Sequence, residues 1–173
     1  VVSTIPIINL LKIINFEDNK LINLAKNIRT RSMYLVIMKF DQRQTLPYRT
    51  LIFPEKKFIF NRIFEQNLYS RDTVEKGKSL IVADITFDRE EKFYSENEII
   101  KITKDQLKSL KYINMDKLIS ITVEKIEYAY VSPELETRKN FDFIERELAK
   151  IKNLSLIGRF GAGEYDNSDY SIL

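Results

Sequence analysis

The sequence predicts an α+β fold, in which a mainly antiparallel, mixed sheet has helices packed on one of its faces. Several strand-like segments follow one another directly, which is typical of an antiparallel sheet, whereas a Rossmann unit would alternate strand and helix throughout. Hydrophobic residues make up 44% and charged residues 31% of 173 residues, which is a globular composition. That length suits one domain and at most a small appendage.

The chain begins with a β-branched run over residues 1–5, which predicts a short buried strand that ends at Pro6. Proline fits the first turn of a helix, and apolar residues then recur at helical spacing over residues 7–14. A second helix is predicted from about residue 18 to residue 27, with Asp18 as its N-cap. A start without methionine suggests a fragment, or a chain trimmed at its beginning.

The middle of the chain is rich in β-formers and predicts consecutive strands. Proline in the turn at residues 54–56 separates two of them, because proline cannot donate to a sheet ladder. Leu80, Val82 and Ile85 are the core candidates of the last strand. The predicted strands cover residues 33–40, 48–53, 57–64 and 79–87, and a polar loop follows at residues 88–95.

The clearest helix is predicted over residues 96–110, where Ser95 and Glu98 match a capping box. A long strand follows at residues 118–131. Its apolar positions change parity between Val123 and Ile126, which predicts a bulge or a change of partner.

Composition excludes several kinds of chemistry. The chain has no cysteine and no histidine, so it offers no disulfide, no cysteine nucleophile, no histidine base and no ordinary zinc site. Acid–base groups are limited to Asp, Glu, Lys, Tyr or a cofactor. Basic and acidic residues nearly balance, at 28 against 25, and a net charge of +3 does not indicate a nucleic-acid partner. No apolar segment is long enough to span a membrane, and the absence of cysteine favours the cytoplasm.

Three of the four glycines fall at Gly158, Gly161 and Gly163, after a predicted helix at 141–151 and a short strand at 154–157. Glycine permits a positive φ or a close approach of the backbone to a ligand. N-cap residues follow, and a helix that began near Ser168 would direct its amides at an anionic group. A tight surface turn is the alternative. The predicted domains are therefore residues 1–153 and a terminal segment, residues 154–173.

Residues 156–172 carry an apolar strand, Gly-Arg, a glycine two residues on, then an aromatic residue, Asn and Asp before a predicted helix. This order resembles the C-terminal motif of the flavin amine oxidase superfamily, especially its protoporphyrinogen-oxidase-like and UDP-galactopyranose-mutase-like branches. Residues 1–6, 46–54, 60–63 and 128–131 are similar to further strands of the substrate-binding domain in these proteins. The resemblance covers essentially the whole chain, but only the terminal motif is specific.

The resemblance implies a role for nine residues and identifies no catalytic residue. Arg159 could instead form an ion pair with Glu164 or a sheet carboxylate, and strand alternation explains Arg62 and Tyr130 equally well. Tyr165 could be a core aromatic and Asp169 a helix cap. The implied FAD-binding residues are Gly158, Arg159, Gly161, Asn167, Ser168 and Asp169, and the implied substrate-binding residues are Arg62, Tyr130 and Tyr165.

The sequence departs from the family in one respect, since it has no Gly-x-Gly-x-x-Gly segment that could bind the ADP part of FAD. FAD is therefore expected only when an N-terminal FAD-binding segment or a partner chain supplies that half, and the chain alone is expected to be inactive. An apolar face left uncovered would favour a homo-oligomer.

These observations leave three functions open. The main hypothesis is the C-terminal part of an FAD-dependent oxidoreductase that acts on a small-molecule substrate. The alternatives are part of a sugar-nucleotide enzyme like UDP-galactopyranose mutase, and a non-catalytic binding module that has lost its cofactor domain.

Overall fold

The computed structural model describes residues 1–90 and 94–163 and groups them into two compact units. The first unit contains Val1–Arg31 together with the described residues from Tyr128 onward, and the second contains Ser32–Glu127. The division at residues 153 and 154 stays a prediction. The strands are β1 (Val2–Ser3), β2 (Thr30–Phe40), β3 (Thr50–Ile52), β4 (Arg62–Glu65), β5 (Ser79–Asp88), β6 (Leu118–Val131) and β7 (Ser155–Leu156). The α-helices are α1 (Ile7–Ile13), α2 (Asn19–Lys26), α3 (Glu96–Ser109), α4 (Leu135–Leu148) and α5 (Gly158–Gly161).

The first unit is built mainly from helices. Helix α1 begins directly after Pro6, and the carboxylate of Asp18 caps α2 by accepting hydrogen bonds from the amides of Lys20 (2.8 Å) and Leu21 (3.3 Å). Both predicted helices are therefore confirmed. The predicted burial of the first strand is wrong at Val1 and Val2, which are 86% and 62% exposed.

Helices α1, α2 and α4 share one hydrophobic core. Because their apolar residues recur at helical spacing, each helix presents one apolar stripe to the others. The buried members of this core are Ile7, Leu10, Leu11, Leu21, Ala25, Ile28, Val131, Phe141, Ile144 and Leu148.

The second unit is organised by a sheet of order β3-β4-β5-β2-β6, in which antiparallel pairing confirms the predicted α+β class. In the β4–β5 pair, Arg62 lies opposite Asp84 and Glu65 lies opposite Ile81. Helix α3 has the predicted capping box and packs against the sheet. The buried members of this second core are Val36, Met38, Phe40, Leu46, Phe60, Ile63, Ile81, Ala83, Ile85, Ile99, Leu107 and Ile113.

Helix α4 begins six residues before the predicted helix at 141–151, and its buried positions explain the difference. Thr137 and Asn140 face inward one turn before Phe141 and Ile144. Since these two residues are polar, the apolar periodicity visible in the sequence begins only at Phe141. Thr137 and Asn140 thus have the spacing of a buried helix face, but they lack the hydrophobic side chains by which such a face is recognised in a sequence.

The predicted strand over residues 57–64 is also shorter, because the chain makes a turn there before β4. The amide of Phe58 donates to the carbonyl of Glu55 (3.1 Å), and the rings of Phe53, Phe58 and Phe60 pack on one another at centroid distances of 4.8–5.3 Å. Aromatic residues that resemble a strand in sequence here form a cluster in a loop.

Strand β6 shows the predicted change of parity. Ile121 and Val123 are half-buried, Glu124 and Lys125 are both exposed, and half-burial resumes at Ile126.

Among the described residues, no helix is long and apolar enough to cross a membrane, and no cluster of acidic side chains could hold a metal ion.

Candidate functional site

The glycine segment begins at the end of a short parallel strand pair. Strand β7 lies beside β1, with Val2 opposite Ser155 and Ser3 opposite Leu156. Gly158 then takes φ = 74°, a left-handed conformation that glycine adopts without a steric penalty, and the chain turns into α5. The residues directly after β7 therefore form one turn of helix. The predicted helix near Ser168 lies outside the described residues.

The other two glycines of the segment are packed against the chain itself. A Cβ at Gly161 would lie 2.6 Å from the carbonyl oxygen of Ser3, and a Cβ at Gly163 would lie 2.5 Å from the ring of Phe141. Gly163 also has φ = 71°. The close neighbours of these two glycines are therefore β1 and α4, and the predicted approach of their backbone to a ligand stays a prediction.

Arg159 and Phe160 contact two tyrosines that share one face of β6. The guanidinium of Arg159 lies 5.0 Å from the ring centroid of Tyr130, and the ring of Phe160 meets that of Tyr128 edge-on at 6.3 Å. A guanidinium over an aromatic face is a cation–π contact, which holds the positive charge in a defined place. The described contact of Arg159 thus involves an aromatic ring, and the alternative partner Glu164 lies outside the described residues.

Arg62 on β4 is held by a buried carboxylate on the neighbouring strand. Its Nε donates to Oδ2 of Asp84 (2.7 Å), and a terminal nitrogen of the same guanidinium contacts that oxygen. The side chain of Asp84 is only 5% exposed, and this burial raises its pKa, although the hydrogen bond from Arg62 acts in the opposite direction. The Arg62 side chain itself is 46% exposed and lies over the ring of Phe64.

Asp84 was not predicted as a site residue, although the sequence carries a signal for it. It is the fourth residue of Ile81-Val82-Ala83-Asp84-Ile85, a run that is otherwise apolar. A charged residue inside such a strand requires a partner, because an unpaired buried charge is costly. The cross-strand partner, Arg62, could be identified only from the register of β4 and β5.

The structure brings some of the predicted residues together and leaves others untested. Gly158, Arg159, Gly161 and Tyr130 lie in the first unit, close to one another, while Arg62 belongs to the second unit. The roles assigned to Tyr165, Asn167, Ser168 and Asp169 stay predictions, because these four residues lie outside the described part of the chain.

The fold of the chain is shared with solved structures of both oxidoreductases and a mutase. It is similar to the crystal structure of a reduced UDP-galactopyranose mutase, with a TM-score of 0.83 and 21% identity over 98% of the chain. It is also similar to a putative protoporphyrinogen oxidase from Exiguobacterium sp. 255-15, with a TM-score of 0.66 and 15% identity over 94% of the chain. An oxidoreductase from Methanosarcina mazei matches 99% of it at a TM-score of 0.57 and 11% identity.

The chain spans 37% to 40% of the length of these three proteins. No protein-family model matches the chain, and no curated protein matches it in sequence. The comparisons therefore show that the chain shares its fold with proteins from both branches that the terminal motif resembles.

Proposed function

We propose that this chain supplies the substrate pocket and part of the flavin site of a flavin-dependent enzyme. The observation that carries the proposal is the position of Arg159, which follows Gly158 in the motif and lies over Tyr130. The family resemblance had assigned Arg159 to the flavin and Tyr130 to the substrate. Their contact supports a single site that serves both.

The residues present suit a flavin in part. A fixed cation beside an aromatic face can stabilise an anionic ligand, including the negative charge that a flavin gains on reduction. Gly161 and Gly163, in contrast, are required by the packing of the chain on Ser3 and Phe141. When bound, FAD would supply the redox chemistry, and Gly158, Arg159, Asn167, Ser168 and Asp169 would hold and orient it.

A sugar nucleotide is the substrate class that we favour. The TM-score of 0.83 to UDP-galactopyranose mutase exceeds the 0.66 to the protoporphyrinogen-oxidase-like protein, which supports the mutase branch. Arg62 adds a chemical reason, because the fork of a guanidinium suits a phosphate oxygen pair. Asp84 acts as its positioning residue by fixing the guanidinium on β4.

The second candidate is an FAD-dependent oxidoreductase that acts on a small molecule without phosphate. It is supported by the similarity to the Exiguobacterium and Methanosarcina mazei proteins. Both candidates require an N-terminal FAD-binding segment or a partner chain. A cytoplasmic location is part of the proposal and is favoured by the lack of cysteine. If no flavin binds, the chain would instead be a non-catalytic binding module.

A flavin titration tests the proposal. FAD fluorescence is followed with the chain alone, and then with the upstream segment or with a partner chain that carries Gly-x-Gly-x-x-Gly. We expect quenching only in the combined sample, and weaker binding in R159Q than in R146Q, which removes an exposed arginine from α4. Absence of quenching in both samples would contradict a flavin site and favour the binding module.

The substrate class is tested in the same reconstituted sample by adding uridine 5′-diphosphate. A sugar-nucleotide site predicts that it binds and that R62K weakens it, because lysine keeps the charge but loses the fork. Flavin binding without any effect of the nucleotide would favour the oxidoreductase instead.

A further inference from the structure

A cavity of about 850 Å³ lies in the second unit, and its described lining includes none of the residues proposed for the flavin or the substrate. Its walls come from the segment that leaves β2, the 3₁₀ helix Gln66–Leu68 after β4, and the segment Arg71–Lys78 that leads into β5. This volume is within the range of about 300–1,000 Å³ typical of small-ligand pockets. The cavity is therefore large enough for an organic molecule.

The cavity is separate from the site of Arg62. Arg62 is the first residue of β4, and the cavity begins beyond Glu65, its last residue. Side chains alternate between the two faces of a strand, so Arg62 and Glu65 point to opposite sides of the sheet. A ligand in this cavity would thus have its own set of contacts.

A buried carboxylate fixes two of the three segments that form the walls of the cavity. Glu65 is fully buried, and it accepts hydrogen bonds from the amides of Thr45 (3.0 Å) and Leu46 (2.6 Å) and from Nδ2 of Asn67 (2.8 Å). Asn67 also donates to the carbonyl of Arg43 (3.1 Å). Burying a carboxylate is costly unless its oxygens accept hydrogen bonds. These bonds therefore hold the segment after β2 and the 3₁₀ helix in one arrangement before any ligand binds.

Basic side chains are in excess on the walls. Four basic and two acidic residues contribute, namely Arg43, Arg71, Lys76 and Lys78 against Asp72 and Glu75. Glu75 is shared between Lys78 (2.9 Å) and Lys39, and the hydrogen bonds from these two lysines lower its pKa to about 2. Arg43, Arg71 and Lys76 are exposed and reach the cavity from two different segments.

We propose that this cavity binds a small organic phosphate. Arg43, Arg71 and Lys76 would bind the phosphate. Several cations from separate segments suit a phosphate, which carries more than one negative charge, better than they suit a carboxylate, which carries one. Leu68 and Val74 also line the cavity, and they would contact the organic part. The two wall segments that Glu65 fixes reduce the entropic cost of binding.

The first test is an NMR titration of the full chain with inorganic pyrophosphate and, separately, with adenosine 5′-diphosphate. The amides of Arg43, Lys76 and Gly77 are expected to shift together along one saturable curve, with the nucleotide binding more tightly than pyrophosphate. Shifts centred on Phe64 and Asp84, or no saturable shift at all, would overturn the proposal. This test needs no variant.

The second test compares two variants that lose the same charge. R71A/K76A removes two cations from the cavity, and K101A/K108A removes two exposed lysines from α3. We expect the dissociation constant for pyrophosphate to rise at least about tenfold in the first and to change less than about twofold in the second. An equal loss in both variants would mean non-specific attraction and would overturn the site.

Discussion

At the scale of single residues, the glycines after β7 show two separate reasons for the absence of a side chain. Gly158 needs none because of its backbone conformation, whereas Gly161 needs none because β1 lies so close to it. Gly163 combines both reasons, and Gly77 in the second unit has φ = 85° with open space around it. These differences make the cost of an added methyl group predictable.

Alanine substitutions should separate conformational strain from steric overlap. G77A should cost about 1 kcal/mol, from its left-handed backbone alone. G161A should cost roughly 1–3 kcal/mol, because a backbone oxygen must move, and G163A should cost the most, since buried Phe141 cannot move aside. Urea unfolding measures all three, and a G161A protein as stable as the wild type would contradict the packing described.

Glu75 gives a pH-dependent prediction. Its folded pKa is lowered from 4.5 to about 2 by Lys39 and Lys78, so the ionised form is favoured in the folded state. The resulting stabilisation is complete above the unfolded pKa and is lost as the pH falls toward 2. The stability difference between wild type and E75Q should therefore be constant from neutral pH to about 5 and shrink below about 4.5.

The measurement is urea unfolding of both proteins at each pH, repeated at high salt. Because Glu75 is exposed, salt should reduce the difference wherever its carboxylate is ionised. A difference that grows on acidification would contradict the pairing with the two lysines.

At the scale of elements, α3 is the helix whose limits are best specified by local sequence. Ser95 accepts a hydrogen bond from the amide of Glu98, and the Glu98 carboxylate accepts one from the amide of Ser95 (2.8 Å). Such reciprocal bonds need no tertiary partner. For this reason the start of α3 could be predicted to the residue.

Removal of this cap should destabilise the second unit. S95A should cost about 1 kcal/mol, because it leaves helix amides without an acceptor. S109A is a matched control, since Ser109 is exposed and its hydroxyl donates only to the carbonyl of Gln106 at the other end of α3. Urea unfolding monitored by circular dichroism should show a clear loss for S95A alone, and equal losses would argue against the capping role.

At the scale of the whole molecule, the two units differ in how the chain forms them. Ser32–Glu127 is one continuous segment with its own core, whereas the first unit requires both ends of the chain. Contacts made within a continuous segment have a smaller loop-closure cost. The second unit is thus the better candidate for independent folding.

An excised chain of residues 32–127 should therefore fold without the rest. The expected result is a cooperative urea transition and dispersed NMR amide signals, with loss of both in the core variant I85A, which opens a cavity beside the sheet. Residues 128–173 alone should show no such transition. A non-cooperative 32–127 segment would mean that its core depends on the first unit.

Much of the candidate site could be predicted because its signals are local. Gly158 and Gly163 require a positive φ, and the Gly-Arg motif follows an apolar strand, so Arg159 stood out from the sequence. The partners of these residues could not be predicted. Tyr130 was singled out by resemblance, but its contact with Arg159 joins positions 29 residues apart and depends on how β6 meets α5.

The sequence by itself determined the α+β class, because that class follows from the order of strands and helices along the chain. It also determined the capped starts of α2 and α3, because each cap involves residues within one turn of the helix start. Tertiary structure alone decided the division into two units, the Arg62–Asp84 pair and the hydrogen bonds that buried Glu65 accepts. These features depend on strand register and on side chains that burial forces to find distant partners. No spacing in the sequence records that information.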